Sequence, residues 1–154
     1  MRNLKGLALA MDLADRQRLQ AGQGFAQSQR AYDFTQSQLQ QLESYQEDAQ
    51  ARWTMAGRQA VGGESLQGRY RFMDRLGMAI NLQEGVLKDV EQQLETAKKK
   101  SVAAEFRLVS LQRVLAKRSA LQAQALARQA QKQTDEFASQ RYASAAVRQQ
   151  KGGA

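Results

Sequence analysis

Apolar residues recur along this chain at a step of seven. Starting from an a position at residue 4, the series reads Leu4, Met11, Arg18, Phe25, Tyr32, Leu39, Gln46, Trp53 and Ala60. The d positions read Leu7, Ala14, Ala21, Ser28, Thr35, Leu42, Ala49 and Ala56, so only Arg18, Ser28, Thr35 and Gln46 interrupt the seam with polar side chains. A heptad sustained this long predicts one helix that buries its a and d stripe against a partner helix. The expected arm runs over about 4–60, roughly 85 Å at 1.5 Å per residue. The register ends among Gly57, Gly62, Gly63 and Gly68, where glycine offers the backbone freedom that a helix end and chain reversal require. Ser65 is the expected N-cap of a second helix, since its hydroxyl can accept from an unpaired first-turn N–H.

A second heptad series begins at Leu66. Its a positions are Leu66, Met73, Ile80, Leu87, Leu94, Ser101, Leu108 and Leu115, and its d positions Arg69, Leu76, Gln83, Val90, Ala97, Ala104, Leu111 and Arg118. Beyond Leu115 the step changes, and Leu115, Leu126 and Phe137 lie eleven residues apart. That spacing stays close to the natural helical period and does not sustain a left-handed supercoil. Gly77 and Gly85 weaken this arm by about 1 kcal/mol each, and so mark either a bend or a close approach of the partner helix. Together the two series predict an all-α fold: an elongated two-helix antiparallel coiled-coil hairpin with a longer C-terminal helix. A single domain over 1–154 is expected, with arm 1 over about 4–60, a glycine-rich turn over about 61–65 and arm 2 over about 66–150. Folding symmetrically about Gly62-Gly63 pairs Leu42 with Gln83, Tyr45 with Ala79, and Leu4 with position 121. The chain after about 121 is then an unpaired overhang.

Composition narrows the chemistry. The 154 residues contain no Pro, Cys or His, with 42% hydrophobic and 6% aromatic residues, which suits a thin helical object better than a thick core. Without Cys or His there is no disulfide framework, no thiolate nucleophile, and neither the commonest general base nor the commonest transition-metal ligand. No cofactor is expected. A phosphate-binding loop is absent, and Gly22-Gln23-Gly24 lacks the third glycine of a dinucleotide fingerprint. Asp15, Glu47, Asp48 and Glu84 fall on helix surfaces, and a two-helix rod encloses no water-excluding pocket around them. The expectation is a protein that is not an enzyme. Arg2, Lys5 and the short apolar run Gly6–Met11 imitate a signal peptide, but Asp12 and Asp15 interrupt it at once. No run is long enough to span a bilayer, so a cytoplasmic location is expected.

Charge is unevenly spread. The total of +8 divides into 7 basic and 6 acidic groups over 1–62, 4 and 6 over 63–97, and 12 and 3 over 98–154. The last third, net +9, reads either as a solvated face or as a surface for an acidic protein, an anionic membrane or nucleic acid. Lys98, Lys99, Lys100, Arg107, Arg113, Lys117 and Arg118 occupy heptad positions e, f, g, g, f, c and d, so they spiral around the helix and form no groove-reading stripe. Nucleic acid is not the expected partner.

One strip flanks the seam. Gln38 and Tyr45 on the first arm and Phe72 and Ala79 on the second are g positions, which share one face in an antiparallel hairpin. With Leu42 and Leu76 they make a half-apolar patch near the turn, either covering the seam edge or serving as a protein-docking surface. Phe34 and Phe106, at c and f, point outward without a core role, whereas Trp53, at a, reads as core.

The segment Gln38-Leu-Gln-Gln-Leu-Glu-Ser-Tyr-Gln-Glu-Asp48 resembles the Q-L-x-x-L-x-x-Y-Q-x-x-Y segment of the FliJ family. Tyr70-Arg-Phe-Met-Asp-Arg-Leu-Gly-Met-Ala-Ile80 is similar to that family's aromatic-x-F-x-x-x-L-x-x-A-I stretch, and Asp135-Glu-Phe-Ala138 to its C-terminal D-E-x-A signature. The three pieces fall in order over nearly the whole chain. Two positions depart: Ala49 stands where the family pattern commonly has Tyr, and Gln83 where a ring or polar side chain varies.

The resemblance implies a soluble component of the flagellar type III export apparatus, peripheral at the inner-membrane base of the flagellum. Such proteins are antiparallel coiled coils similar to the stalk of rotary ATPases. They bind the hexameric export ATPase (FliI), promote its assembly, contact the cytoplasmic region of the export-gate protein (FlhA) and bind export chaperones. On this resemblance Gln38, Leu42, Tyr45, Phe72, Leu76 and Ala79 carry gate binding. Electrostatic contact with the ATPase ring falls to Arg128, Lys132, Arg141 and Arg148 of the basic third. Injectisome stalks of the YscO type share this architecture. A generic coiled-coil adaptor, with its basic tail on an anionic protein or membrane surface, is the alternative of another class.

Overall fold

The computed structural model describes residues 2–56 and 63–152. They form two helices, α1 (Arg2–Ala56) and α2 (Gly63–Gly152). Among the described residues there is no strand, and α2, with 90 residues, is much the longer. The all-α, two-helix class expected from the heptads is the observed one. The described part of α1 stops at Ala56, short of 60; Gly57, Gly62 and the centre of the expected turn lie outside the described residues. Ser65 is not an N-cap, because α2 is already running at Gly63 and Ser65 falls within its first turn.

Both helices bury the stripe that the seven-residue step marks out. Every described a and d position from Leu4 to Trp53 is buried or half-buried. On α2 the same holds from Arg69 to Leu115, with Leu66 and Arg118 exposed at the two limits of the series. A helix with a strict a/d stripe leaves its other faces to water, which accounts for how few side chains are fully enclosed.

The chain divides into two compact units, Ala14–Phe106 and Met1–Leu13 with Arg107–Ala154. In the first, Leu39, Leu76 and Ile80 form a buried cluster with Leu42 and Leu87 packed against it. Burial of each such side chain stabilises by about 1.5–3 kcal/mol, so this cluster anchors the seam. Thr35 is also buried, and its hydroxyl donates to the Ala31 carbonyl at 2.8 Å, which satisfies a polar group in an apolar layer. Arg18, another polar seam residue, turns back one helical turn onto Asp15 at 3.0 Å. Both side chains are about half exposed, and such a pair contributes at most about 1 kcal/mol.

Pairing within this unit is antiparallel but is offset from symmetry about Gly62-Gly63. Gln83, expected beside Leu42, meets Thr35 and Gln38, and Phe72 lies against Tyr45 as well as against Trp53, the contact that midpoint symmetry would give it. The offset is about one helical turn toward the N-terminus of α1. An offset of this size fits the layering of antiparallel coiled coils, where knobs-into-holes packing alternates an a residue of one helix with a d residue of the other: Leu39 (a) and Leu42 (d) of α1 share one cluster with Leu76 (d) and Ile80 (a) of α2. Neither Gly77 nor Gly85 marks a close approach, since a Cβ at either would have nothing within 4 Å.

In the second unit, Leu4, Leu7 and Met11 are half-buried on α1, as are Leu111, Leu115 and Gln122 on α2, and Leu108 is buried. From 123 to 152 every described residue is exposed, including Leu126, Phe137, Tyr142 and Val147.

Candidate functional site

The strip expected beside the seam is an aromatic ledge built by the heptad itself. Gln38 and Tyr45 on α1 and Phe72 on α2 occupy g positions, one residue before the buried a stripe, so their side chains lean over the seam edge. The Tyr45 and Phe72 rings lie 6.0 Å apart, tilted by 58°. Phe72 also meets Trp53 at 5.7 Å in an edge-to-face contact of 78°. The Arg69 guanidinium sits over the Trp53 ring, 5.7 Å from its centroid. Edge-to-face rings attract because the positive edge of one meets the negative face of the other, and a guanidinium over a ring exploits the same quadrupole. The four side chains Tyr45, Phe72, Trp53 and Arg69 therefore form one ordered row.

Beneath this row the six expected residues divide into two roles. Tyr45 is 56% and Phe72 38% exposed, whereas Leu76 is buried at 7%. Leu42 and Ala79 are half-buried and Gln38 is exposed. Leu76 and Leu42 therefore support the ledge from the core, while Tyr45, Phe72 and Gln38 present it. Gln83 adds a crosslink: its side-chain amide donates to the Thr35 carbonyl at 3.3 Å and to Gln38 Oε1 at 3.1 Å. The Gln38 side chain is thereby held across the seam. The structure brings Gln38, Tyr45 and Phe72 to one edge, although through partners other than those expected.

Trp53 is half-buried, as a seam residue should be, but its part in the ledge together with Arg69 was not read from the sequence. At the other end Phe34 is exposed, as its c position led one to expect, and Leu82 and Val86, exposed at c and g positions on the flank that continues the g strip, were not singled out. Apolar residues at c and g are the signal that could have found them, because a pure two-helix seam has no use for them there.

The four basic residues expected at the ATPase ring, Arg128, Lys132, Arg141 and Arg148, do not gather on one face. At 100° per residue, Arg141 and Arg148 share one side of α2, and Arg128 and Lys132 lie roughly opposite. Arg141 folds over the Phe137 ring at 5.1 Å. Elsewhere in the Ala14–Phe106 unit, an open groove of about 990 Å³ runs between Gln17, Gln20, Ala21, Gly24 and Ser28 of α1 and Asp89, Gln93, Thr96, Ala97 and Lys100 of α2. No group of carboxylates among the described residues could hold a metal ion, and no helix of the described residues is long and apolar enough to cross a membrane.

The family model described as "Flagellar FliJ protein" matches residues 5–146. The chain belongs to the FliJ family. It is thus a component of the flagellar export apparatus, a structural, coiled-coil participant in flagellum biogenesis and protein transport. No curated protein and no solved structure matches it. The match takes in most of both helices, and with them the ledge and the exposed C-terminal stretch as far as residue 146.

Proposed function

We propose that this FliJ-family chain is the non-enzymatic stalk of the flagellar type III export apparatus. It works in the cytoplasm at the inner-membrane base of the flagellum, where it binds the hexameric export ATPase, promotes its assembly and activity, and couples it to the cytoplasmic region of the export-gate protein. It also contacts export chaperones. Family membership over residues 5–146 carries this reading.

Two features of the chain support the division of labour. The stretch beyond about 121 is the unpaired arm that enters the ATPase ring; it exposes every described residue from 123 on, including Arg128, Lys132, Arg141 and Arg148. Basic groups distributed around a helix suit a surrounding, acidic-lined ring better than a flat partner, because a ring contacts all sides of the helix at once. The ledge of Gln38, Tyr45 and Phe72, resting on Leu42, Leu76 and Ala79, is the gate-docking surface. Exposed rings held rigidly on a core suit such a role, since little conformational entropy is lost when they dock.

The test is the ATP hydrolysis rate of the cognate export ATPase titrated with this protein at low and moderate salt. Stimulation should saturate near one chain per hexamer and weaken as salt screens the contact. A well-folded chain that neither binds nor stimulates the ATPase would overturn the stalk assignment.

A further inference from the structure

We infer that Trp53 and Arg69 form part of the docking surface, and that Arg69 is the group that recognises a carboxylate on the partner. The inference rests on the gate-docking reading and specifies the chemistry of what docks: a segment of the gate protein's cytoplasmic region that places an acidic side chain beside an apolar one.

The geometry supplies both halves of that recognition. Phe72 sits between the Tyr45 and Trp53 rings, 6.0 Å from one and 5.7 Å from the other, so the apolar row does not end at Phe72. The Arg69 guanidinium carbon lies over the Trp53 ring, 5.7 Å from its centroid. A guanidinium held against a ring by its charge keeps its planar fork of N–H donors, which matches a carboxylate. Charge divides the row into two ends. Glu43, Glu47 and Asp48 flank Tyr45 in the sequence, whereas Arg52, Arg69, Arg71 and Arg75 gather at the Trp53 end with only Asp74 against them among the described side chains, so an acidic side chain is favoured at that end.

Trp53 is the single tryptophan of the chain, so it reports on its own surroundings. Protein carrying 5-fluorotryptophan is titrated with the purified cytoplasmic region of the gate protein, and its single fluorine resonance is followed. Affinities are measured in parallel for Tyr45→Ala, Trp53→Phe, Trp53→Ala, Arg69→Ala and Arg69→Lys, with helix content checked for each. The resonance should shift on binding. Trp53→Ala and Arg69→Ala should each weaken binding at least about tenfold. Trp53→Phe, which keeps a ring, and Arg69→Lys, which keeps charge but loses the fork, should fall between these and the parent. Arg69→Ala should also flatten the salt dependence of binding. If Tyr45→Ala weakens binding while the Trp53 and Arg69 variants bind like the parent and the resonance stays still, the inference is overturned and the docking reading survives. If Tyr45→Ala is also without effect, the docking reading itself fails and the inference fails with it.

Discussion

Two stretches of the Ala14–Phe106 unit use the same heptad for different ends. Toward the turn, residues 35–53 and 69–87 fill the seam with Leu39, Leu42, Leu76, Ile80 and Leu87 and place rings along its edge. Farther from the turn, 17–28 and 89–104 offer Ala21, Ser28 and Gly24 against Thr96, Ala97 and Ala104, and an open groove of about 990 Å³ is left between them. Both stretches bury their a and d positions at least halfway. Periodicity therefore decides which residues face inward, but side-chain volume decides how firmly the helices are held. The apolar stretch sets the register and carries the ledge, and the small-residue stretch follows that register without strengthening it.

The most severe break of this contrast is Leu76→Ala. It empties a buried site at 7% exposure and should cost about 2–4 kcal/mol, read from urea or thermal unfolding by circular dichroism; a loss below about 1 kcal/mol would remove the anchoring role given to the cluster. The next largest effect is on binding. Replacing Tyr45 and Phe72 together with Ala should weaken gate binding by well over tenfold, since both are ring anchors on one edge, while helix content and ATPase stimulation persist. Equal loss of stimulation would show that the ledge is not a separate docking surface.

A substitution in the other stretch should move the contrast in reverse. Ser28→Leu places an apolar side chain at a half-buried d position beside the groove and should raise stability by about 1 kcal/mol, a partial-burial share of the usual leucine gain. A lower melting temperature would mean that this stretch is shaped by a requirement other than packing. The smallest change is Gly85→Ala. A Cβ there meets nothing within 4 Å, so the helix-propensity gain of about 0.5–1 kcal/mol should appear nearly undiminished. Destabilisation would revive the close approach of helices that the geometry contradicts.

Much of this was legible in the order of residues. The a and d stripes from Leu4 to Trp53 and from Arg69 to Leu115 are the buried ones, because a seven-residue apolar step leaves a long helix only one way to hide its stripe. Tyr45 and Phe72 were recognisable as edge residues from their g positions. The partners of Tyr45 and Gln83 were misassigned by about one turn, because midpoint symmetry about a glycine pair ignores the alternation of a with d that antiparallel packing imposes. The a position of Trp53 gave its inward direction, which the half-buried ring keeps, but not the contacts with Phe72 and Arg69 that make it part of the ledge. The outward direction of Phe34 was legible from its c position, whereas Leu82 and Val86, exposed on the same flank, were not singled out.

The sequence by itself determined the class, two long helices with their inward stripes, because helical periodicity is a local property written in each segment. It also carried the family, whose motifs are likewise local. Only the tertiary structure decided which residues of α2 stand opposite which residues of α1. From that pairing came the Tyr45–Phe72–Trp53–Arg69 row, the Gln83 crosslink and the open groove. Each depends on the axial offset between two helices, and many offsets satisfy the same pair of stripes until side-chain volumes select one.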